Sequence, residues 1–331
     1  MSKPDSISLR ILKPDQWRNA FLLIAASAVM GCGRSNESLN WTDRRPIGVI
    51  FLARDDTNWP DNPRGWFGDA SLNIYTETGK ESFRIRLAQT AKNILQLAAA
   101  VHAQGIIVWD IEGEQYPHPN GSFVGDPRLL GRLAPEMDAL VDGFFSQLST
   151  AGLKTGLLIR PQRARFENGR LNQEEIIFNN DAIVAELAAK IAYARQRWGC
   201  SLFYVDSNFS LWHLGVYNSD IFRRLHQTYP DILLIPEYED ADYFECASPY
   251  FDPVKREKFP GTIISAAQVR ASQPHAFNSI YIGNIDPSRD RKSLVNAVAK
   301  GDILLYRGWW RGPEFGLVES LTSDTPTGSS R

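Results

Sequence analysis

The sequence has few of the residues that build disulfide frameworks or hold catalytic metals. Its 331 residues include three cysteines, Cys32, Cys200 and Cys246, and five histidines scattered along the chain. Three cysteines are too few for a disulfide framework, and no spacing of Cys and His resembles a zinc site. There is also no HExxH or HxH pattern, which argues against a His-ligated metallohydrolase. We expect Cys200 and Cys246 to be buried free thiols, and we expect no metal and no cofactor.

The sequence also lacks an excess of basic residues. It has 36 Lys and Arg against 38 Asp and Glu, which gives a formal net charge of −2, and its isoelectric point is near 6.2. A nucleic-acid-binding domain would show a basic patch or a recognition motif, and neither is found. The first strand–helix turn has no GxGxxG pattern, which removes the strongest signal for a dinucleotide-binding fold. Nucleic acid is therefore not an expected partner.

The longest apolar run near the N-terminus is too short to span a bilayer as a helix. It extends from Phe21 to Gly31, directly before Cys32, and four basic residues precede it: Lys3, Arg10, Lys13 and Arg18. A basic segment followed by an apolar run of this length is typical of a signal peptide. An uncleaved anchor, or a signal cleaved elsewhere, would show the same pattern.

The four residues at the end of this run resemble the lipobox of bacterial lipoproteins: Val29, Met30, Gly31 and Cys32. The resemblance implies that residues 1–31 are a lipoprotein signal peptide and that Cys32 is lipidated. Residues 32–45 would then be a tether, and the protein would reside in the cell envelope, bound to a membrane through its lipid. Gly33, in place of the Asp that retains lipoproteins at the inner membrane, favours the outer membrane in a Gram-negative organism.

After residue 45 the chain alternates between short apolar runs and segments with helical periodicity. The predicted strands cover 46–54, 105–114, 153–161, 201–208, 231–237, 243–251, 277–284 and 302–310, and 262–269 fits either a strand or a helix. The main predicted helices cover 81–104, 135–151, 180–199, 219–229 and 288–301. Such alternation is typical of a parallel sheet covered by helices. We predict the α/β class, a single-domain (β/α)8 TIM barrel over 46–316 in preference to an open doubly wound sheet, and a disordered tail over 317–331.

Acidic residues follow several of these strands. Asp206 ends the run SLFYVD, where Leu202, Tyr204 and Asp206 share one face, and Glu237 follows Pro236 at the end of the next strand. In a parallel barrel the carboxyl ends of the strands build the site, so these side chains should meet at one mouth. Close carboxylates can have separated pKa values, as acid–base catalysis requires. Other polar or aromatic candidates at strand ends and in loops are Asp55, Trp59, Trp66, Asp110, Glu112, Arg160, Asp286, Arg307 and Trp309.

A barrel with Asp after strand four, Glu after strand five and a further Asp near strand seven resembles the retaining glycoside hydrolases, in particular the alpha-amylase clan. The resemblance implies a carbohydrate substrate. It implies that Asp206 is the nucleophile, that Glu237 is the general acid and base, and that Asp286 stabilises the transition state. The remaining candidates would bind the sugar.

Each of these residues also has a structural interpretation. Asp206 could pair with Arg160, and Asp110 or Glu112 could pair with Arg54 or Arg160. Asp286 precedes Pro287 and could begin a helix. Glu239, Asp240 or Asp242 could reach the mouth in place of Glu237, and only one of Trp309 and Trp310 could face a ligand.

The function predicted is a lipid-anchored glycoside hydrolase or transglycosidase that acts on a poly- or oligosaccharide through a carboxylate pair. One alternative is a carbohydrate-binding lipoprotein without catalysis. A second is a hydrolase that depends on a divalent metal held by Asp110, Glu112, Asp206 and Glu237.

Overall fold

A computed structural model of the chain describes residues 39–54, 59–114, 123–212, 214–254 and 264–323. Two residues with predicted roles, Cys32 and Asp55, lie outside the described residues. The predicted signal peptide, most of the predicted tether and residues 324–331 lie outside them as well.

Eight parallel strands form the centre of the fold. They are β1 Ile47–Ile50, β2 Gly105–Val108, β3 Lys154–Ile159, β4 Leu202–Val205, β5 Leu233–Pro236, β6 Tyr250–Phe251, β7 Ser279–Tyr281 and β8 Ile303–Arg307. The strands pair in chain order from β1 to β5, and β8, β7 and β6 continue the sheet on the other side of β1. The protein is therefore a (β/α)8 TIM barrel, as the sequence predicts.

The ring is nearly closed. Among the described residues no strand pairing joins β5 to β6, and we call this gap the seam. A backbone hydrogen bond from Ser248 N to Leu234 O, 2.9 Å long, crosses it just before β6. The sheet thus has two short edges, which face each other.

Side chains alternate between the inside and the outside of the barrel, because successive residues of a strand point to opposite faces. The interior cluster contains Ile47, Val49, Ile107, Leu158, Leu202, Tyr204, Leu233, Ile235, Tyr250, Ile303 and Leu305. The intervening residues, such as Phe203 and Val205 of β4, pack outward against the helices. Both faces of each strand are buried, which explains why the strands appear as continuous apolar runs.

Helices cover the outside of the barrel. They are α1 Glu77–Ala100, α2 Leu130–Leu133, α3 Pro135–Asp138, α4 Val141–Thr150, α5 Asn180–Trp198, α6 Ser219–Thr228, α7 Ala266–Val269, α8 Pro287–Ala299 and α9 Phe315–Ser323, with 3-10 turns at Pro127–Leu129 and Ala241–Glu245. Helix α1 begins four residues before the predicted start, because the Thr76 side chain caps it by accepting from Gly79 N. Within the described residues no helix is both long and apolar enough to cross a membrane.

Helix α5 is bounded as predicted and is fastened to the end of β3. The Asn179 side chain accepts from Ala182 N at the start of the helix, and Gly199 ends it with a left-handed φ of 67°. Lys190 is fully buried, and its Nζ donates to the carbonyls of Arg160 at 2.7 Å and Gln162 at 2.8 Å. The position of Arg160 is thus set by a helix as well as by its own strand.

Two hairpins that were not predicted follow β3 and β4. The first pairs Arg163–Glu167 with Arg170–Glu174, and the second pairs Phe209–Ser210 with Gly215–Val216. Asn168 and Gly169 form the turn of the first hairpin, with φ values of 50° and 77°. Asn-Gly is the favoured sequence for this kind of turn.

Other differences are local. The ambiguous segment 262–269 contains helix α7, and the helix predicted from Pro135 is divided into α3 and α4. The chain is helical over α9, where a disordered tail was predicted from residue 317, because Phe315 and Val318 are buried against the barrel. Cys200 and Cys246 are buried and free, as predicted.

Candidate active site at the mouth of the barrel

The carboxyl ends of the strands form one mouth, and polar side chains point into it. Arg160, Asp206, Glu237 and Asp252 follow β3, β4, β5 and β6, and each lies two residues beyond a member of the interior cluster: Leu158, Tyr204, Ile235 and Tyr250. Because side-chain direction repeats every second residue, these groups continue the interior face of the barrel into the mouth. The first three are among the candidates that the sequence placed at strand ends.

Asp206 and Glu237 lie side by side. Strands β4 and β5 pair with Val205 opposite Pro236, so the acids that follow are also opposite each other. The Glu237 amide donates to Val205 O at 3.0 Å, and the Ser207 amide donates to Glu237 Oε2 at 2.9 Å. These contacts hold the Glu237 carboxylate against the backbone that follows Asp206.

Arg160 is the counter-ion of Asp206. Its Nε donates to Asp206 Oδ2, and its Nη1 donates to Gln173 Oε1 of the first hairpin at 3.0 Å. Arg160 and Asp206 are only 6% and 7% exposed, so solvent screens the pair weakly. The pairing of Asp206 with Arg160 that the sequence left open is present, and it fixes the Asp206 carboxylate in place.

Burial and the negative charge of this region raise the pKa values of two tyrosines. Burial, and after it repulsion from Glu237 and then Asp206, raises the pKa of Tyr238 to about 12. Burial, with repulsion from Glu237 and Asp206, also raises the pKa of Tyr204, which stands directly below Asp206 in β4. A neighbouring carboxylate raises the pKa of a phenol because it opposes a second negative charge. Both carboxylates therefore act on the same small region of the mouth.

Asp252 is an acid of the mouth that the sequence reasoning missed. It is 5% exposed and accepts from Val254 N at 2.9 Å through Oδ1. Burial and repulsion from Asp252 raise the pKa of Tyr250, so the two side chains are close. The segment Tyr250–Phe251–Asp252 carries this signal, but the strand has only two residues, which is too short for the predicted span 243–251 to fix the side-chain direction.

Aromatic rings line the side of the mouth formed by β1, β2 and the residues after β8. The centroid of the Phe51 ring lies 5.4 Å from that of the Trp109 ring and 5.2 Å from that of the Trp309 ring. Trp109 in turn lies 3.9 Å from Tyr204. Trp309 was predicted to bind substrate and is half-buried here, whereas Trp310 is exposed. Trp109 was not predicted, although it follows Ile107 at the same two-residue spacing as the acids.

The two tryptophans of the loop after β1 are placed differently from each other. Trp66 is fully buried, with its ring 5.3 Å from Phe83 and its Nε1 donating to Glu136 Oε1 at 2.7 Å. It belongs to the core outside the barrel and does not line the mouth, which corrects the prediction that it binds substrate. Trp59 is half-buried, and its carbonyl accepts from Asn62 N at 3.1 Å.

Asp110 and Glu112 support the backbone of the mouth. Asp110 accepts from Leu52 N at 2.9 Å and from Ala53 N at 2.7 Å, which ties the end of β1 to the end of β2. Glu112 accepts from Asp126 N at 2.8 Å. Each is 1% exposed, and burial raises the pKa of each to about 7. Both side chains thus hold backbone segments at the mouth in place.

Asp286 and Arg307 also differ in position. Asp286 is exposed and caps α8 by accepting from Ser288 N and Arg289 N, so it is the helix start that the sequence left open. Arg307 follows Leu305 into the mouth, and its Nη2 donates to Asn284 Oδ1 at 3.0 Å. Gly283 leaves room for it, since a Cβ there would lie 3.0 Å from Arg307 Nε.

No group of three or more His, Cys, Asp or Glu side chains in the described part of the chain is arranged to hold a metal ion. The metal-dependent alternative would need Asp110 and Glu112 as ligands, and both accept backbone N–H groups instead.

At the level of sequence, the chain matches no family model and no curated protein. Among solved structures it resembles a debranching enzyme from Nostoc punctiforme, with a TM-score of 0.53 and 10% identity over 88% of this chain and 81% of that one. It also resembles the alpha-amylase of Geobacillus thermoleovorans in complex with acarbose, with a TM-score of 0.50 and 11% identity over 84% and 78% of the two chains.

The fold and the mouth thus define a (β/α)8 barrel protein with a cluster of carboxylates at the carboxyl ends of its strands. The solved structures that it resembles are glycoside hydrolases. At such low identity the likeness establishes the shared barrel alone.

Proposed function

We propose that this protein is a glycoside hydrolase or transglycosidase whose reacting groups are Asp206 and Glu237. The observation that carries the proposal is their placement at opposite positions of adjacent strands, both on the inner face of the mouth. Adjacent strands lie about 4.8 Å apart. The carboxyl groups of a retaining enzyme are about 5 to 5.5 Å apart, a separation that side chains at opposite positions of neighbouring strands are able to reach.

In this mechanism Asp206 attacks the anomeric carbon while Glu237 protonates the departing glycosidic oxygen. Glu237 then takes a proton from water, or from an acceptor sugar, which displaces Asp206 from the glycosyl-enzyme intermediate. Arg160 orients the attacking carboxylate through the bond from its Nε. The rings of Phe51, Trp109 and Trp309 offer apolar surface for the sugar face, and Asp252 offers a hydrogen-bond acceptor to its hydroxyls.

The test is the release of reducing ends from a panel of soluble polysaccharides and aryl glycosides by wild type, Asp206→Asn and Glu237→Gln. Each variant keeps the size of the side chain, and we expect turnover to fall by a factor of about 10³ or more, because covalent catalysis and proton transfer are removed. Asp231→Asn, an exposed residue paired with Arg195, is the matched control and should retain wild-type turnover. Wild-type rates in both catalytic variants would contradict the proposal.

A second candidate is a carbohydrate-binding protein without catalysis, and the buried pair of Arg160 and Asp206 favours it, because such a pair can be purely structural. In that case wild type would release no reducing ends from any substrate of the panel. Asp206→Asn would bind glycans as tightly as wild type does.

We further propose that Cys32 carries a lipid and holds the protein in the cell envelope. The proposal rests on the apolar run before Cys32 and the lipobox-like residues 29–32. Incorporation of a labelled fatty acid by wild type but not by Cys32→Ser would support it. Equal labelling of the two proteins would exclude it.

A further inference from the structure

A groove beside the mouth lies between the loops that follow β3 and β4. Its volume is about 540 Å³, and the residues that line it include Phe178, Asn179, Asn180, Asp181, Tyr217 and Asn218. Ligand cavities usually measure about 300 to 1,000 Å³, so the groove is large enough for a small ligand or for a short part of a long one. We call it the loop groove.

The loop groove contains a buried hydroxyl without a partner. Tyr217 is 5% exposed, and its hydroxyl makes no hydrogen bond within the described residues. Glu175 Oε1 is also buried without a partner there. Burial, and after it repulsion from Glu175, raises the pKa of Tyr217. Because buried polar groups in proteins are nearly always hydrogen-bonded, the Tyr217 hydroxyl of the groove lining is a group that a bound ligand could satisfy.

Phe178 places an aromatic ring at the edge of the groove. It is 81% exposed, and its backbone has a φ of 54°, a left-handed conformation that is unfavourable for a bulky residue. Such strain is kept where the surrounding structure or a function requires it. An exposed ring beside a groove offers a flat apolar surface to a sugar ring.

The amides in the groove are held in fixed orientations. Asn179 Oδ1 accepts from Ala182 N, and Asn218 Oδ1 accepts from Asp220 N, so each caps a helix. Their Nδ2 groups remain as hydrogen-bond donors. Fixed amide donors next to an aromatic ring and a hydroxyl are suited to a ligand with many hydroxyl groups.

The charges of the groove exclude acidic ligands. Among the described residues that line the groove, which do not include Glu175, Asp181 is the one charged side chain, and Arg224 donates to it at 2.6 Å. Within the part of the chain that the structure describes, no Lys or Arg lines the groove to meet a phosphate, a sulfate or the carboxylate of an acidic sugar.

The groove is connected to the mouth by backbone contacts. Asn208, two residues beyond Asp206, accepts through its carbonyl from Tyr217 N at 3.0 Å. The Asn208 side chain also donates to Tyr238 O at 3.1 Å, next to Glu237. A glycan bound in the groove would therefore lie beside the strand that carries Asp206.

We infer that the loop groove binds a short stretch of an uncharged polysaccharide, at a distance from the sugar that occupies the mouth. The inference rests on the proposed function for the identity of the ligand. It implies a polymeric substrate that is held along its length, so cleavage would take place within chains.

The test is migration through native gels that contain glycogen, dextran, galactomannan or hydroxyethyl cellulose, each in turn. We expect at least one of these polymers to retard wild type. Phe178→Ala should weaken the binding by a factor of about five or more, because a stacked ring is lost, and Tyr217→Phe should weaken it without disturbing the core. Tyr75→Ala removes an aromatic ring that is 63% exposed in another loop, and it should migrate as wild type does. If both groove variants are retarded as strongly as wild type, or if no polymer retards wild type, the inference is overturned.

The same gels separate this inference from the proposed catalysis. If Asp206→Asn and wild type are retarded equally but neither releases reducing ends, the groove binds glycans and the catalytic proposal fails. If Phe178→Ala and Tyr217→Phe bind and cleave the polymers as well as wild type does, the catalytic proposal stands and the groove inference fails.

Discussion

At the scale of single residues, the burial of the Asp110 and Glu112 carboxyl groups makes the stability of the folded state depend on pH. Burial raises the pKa of each to about 7, from ordinary values of 3.8 and 4.5. The folded state therefore binds more protons than the unfolded state between about pH 4 and 7. The contribution of these two groups to the free energy of unfolding is fully present below about pH 4, and it is lost as the pH rises toward 7.

This effect predicts a pH-dependent difference between wild type and Asp110→Asn. The variant resembles the protonated form at every pH, so its free energy of unfolding should fall less between pH 5 and 8 than that of wild type. The difference should be on the order of 1 to 3 kcal/mol, since each pKa unit corresponds to about 1.4 kcal/mol. Urea denaturation at several pH values measures it, with Asp231→Asn as the control. Parallel curves for wild type and Asp110→Asn would contradict the prediction.

At the scale of elements, helix α5 braces the end of β3 through a buried cation. Lys190 lies 3.5 Å from Glu186 and 3.9 Å from Asp126 in addition to its two carbonyl contacts. Burial lowers the pKa of Lys190, whereas the two acids favour its charged form. The ammonium group thus satisfies the two buried carbonyls, and it adds a second cation to two carboxylates that already pair with Arg128.

Lys190→Met should therefore destabilise the protein by about 3 to 5 kcal/mol, the usual cost of removing one partner from a buried ionic network. Lys292→Met, on the exposed face of α8, should change the stability by less than about 0.5 kcal/mol. The midpoints of chemical denaturation measure both. If Lys190→Met shifts the denaturation midpoint only slightly, the remaining charges of the network compensate one another without the lysine, and the prediction is wrong.

The elements also show how much can be predicted from the sequence. Strands with both faces buried give continuous apolar runs, so the predicted strands for β1 to β5 and β8 lie close to the observed ones, and the predicted helix over 180–199 corresponds to α5. The first hairpin was missed because its strands are polar and half-exposed, although Asn168–Gly169 was a visible turn signal. The loop groove could not be predicted from the sequence, because the two segments that line it are 33 or more positions apart in the chain.

The same limit applies to the mouth. Asp206 and Glu237 were found because each ends a long apolar run, whose parity fixes the direction of the acid. Asp252 follows a strand of two residues, so its direction depends on pairing with β7 and is not visible locally. Trp66 was misassigned because a loop position predicts exposure, whereas packing against α1 buries this ring.

At the scale of the whole molecule, the seam between β5 and β6 is the weakest part of the barrel. The two strands have four and two residues, and Ser248 N to Leu234 O is the backbone bond described between them. We expect the amides of Tyr250 and Phe251 to exchange with deuterium faster than those of β2 and β3, which pair on both sides. Equal protection of β6 and β3 would contradict this expectation.

Glu237 and Asp252 stand at the ends of β5 and β6, on opposite sides of the seam. A sugar whose hydroxyls donate hydrogen bonds to both Glu237 and Asp252 would connect the two edges of the sheet across the seam. It would thereby complete the ring of strands. A ligand bound only by the closed barrel stabilises it by about 2.7 kcal/mol at a concentration a hundred times its dissociation constant. The midpoint of thermal unfolding would then depend on the concentration of the glycan, and a shortage of glycan would shorten the lifetime of the folded barrel.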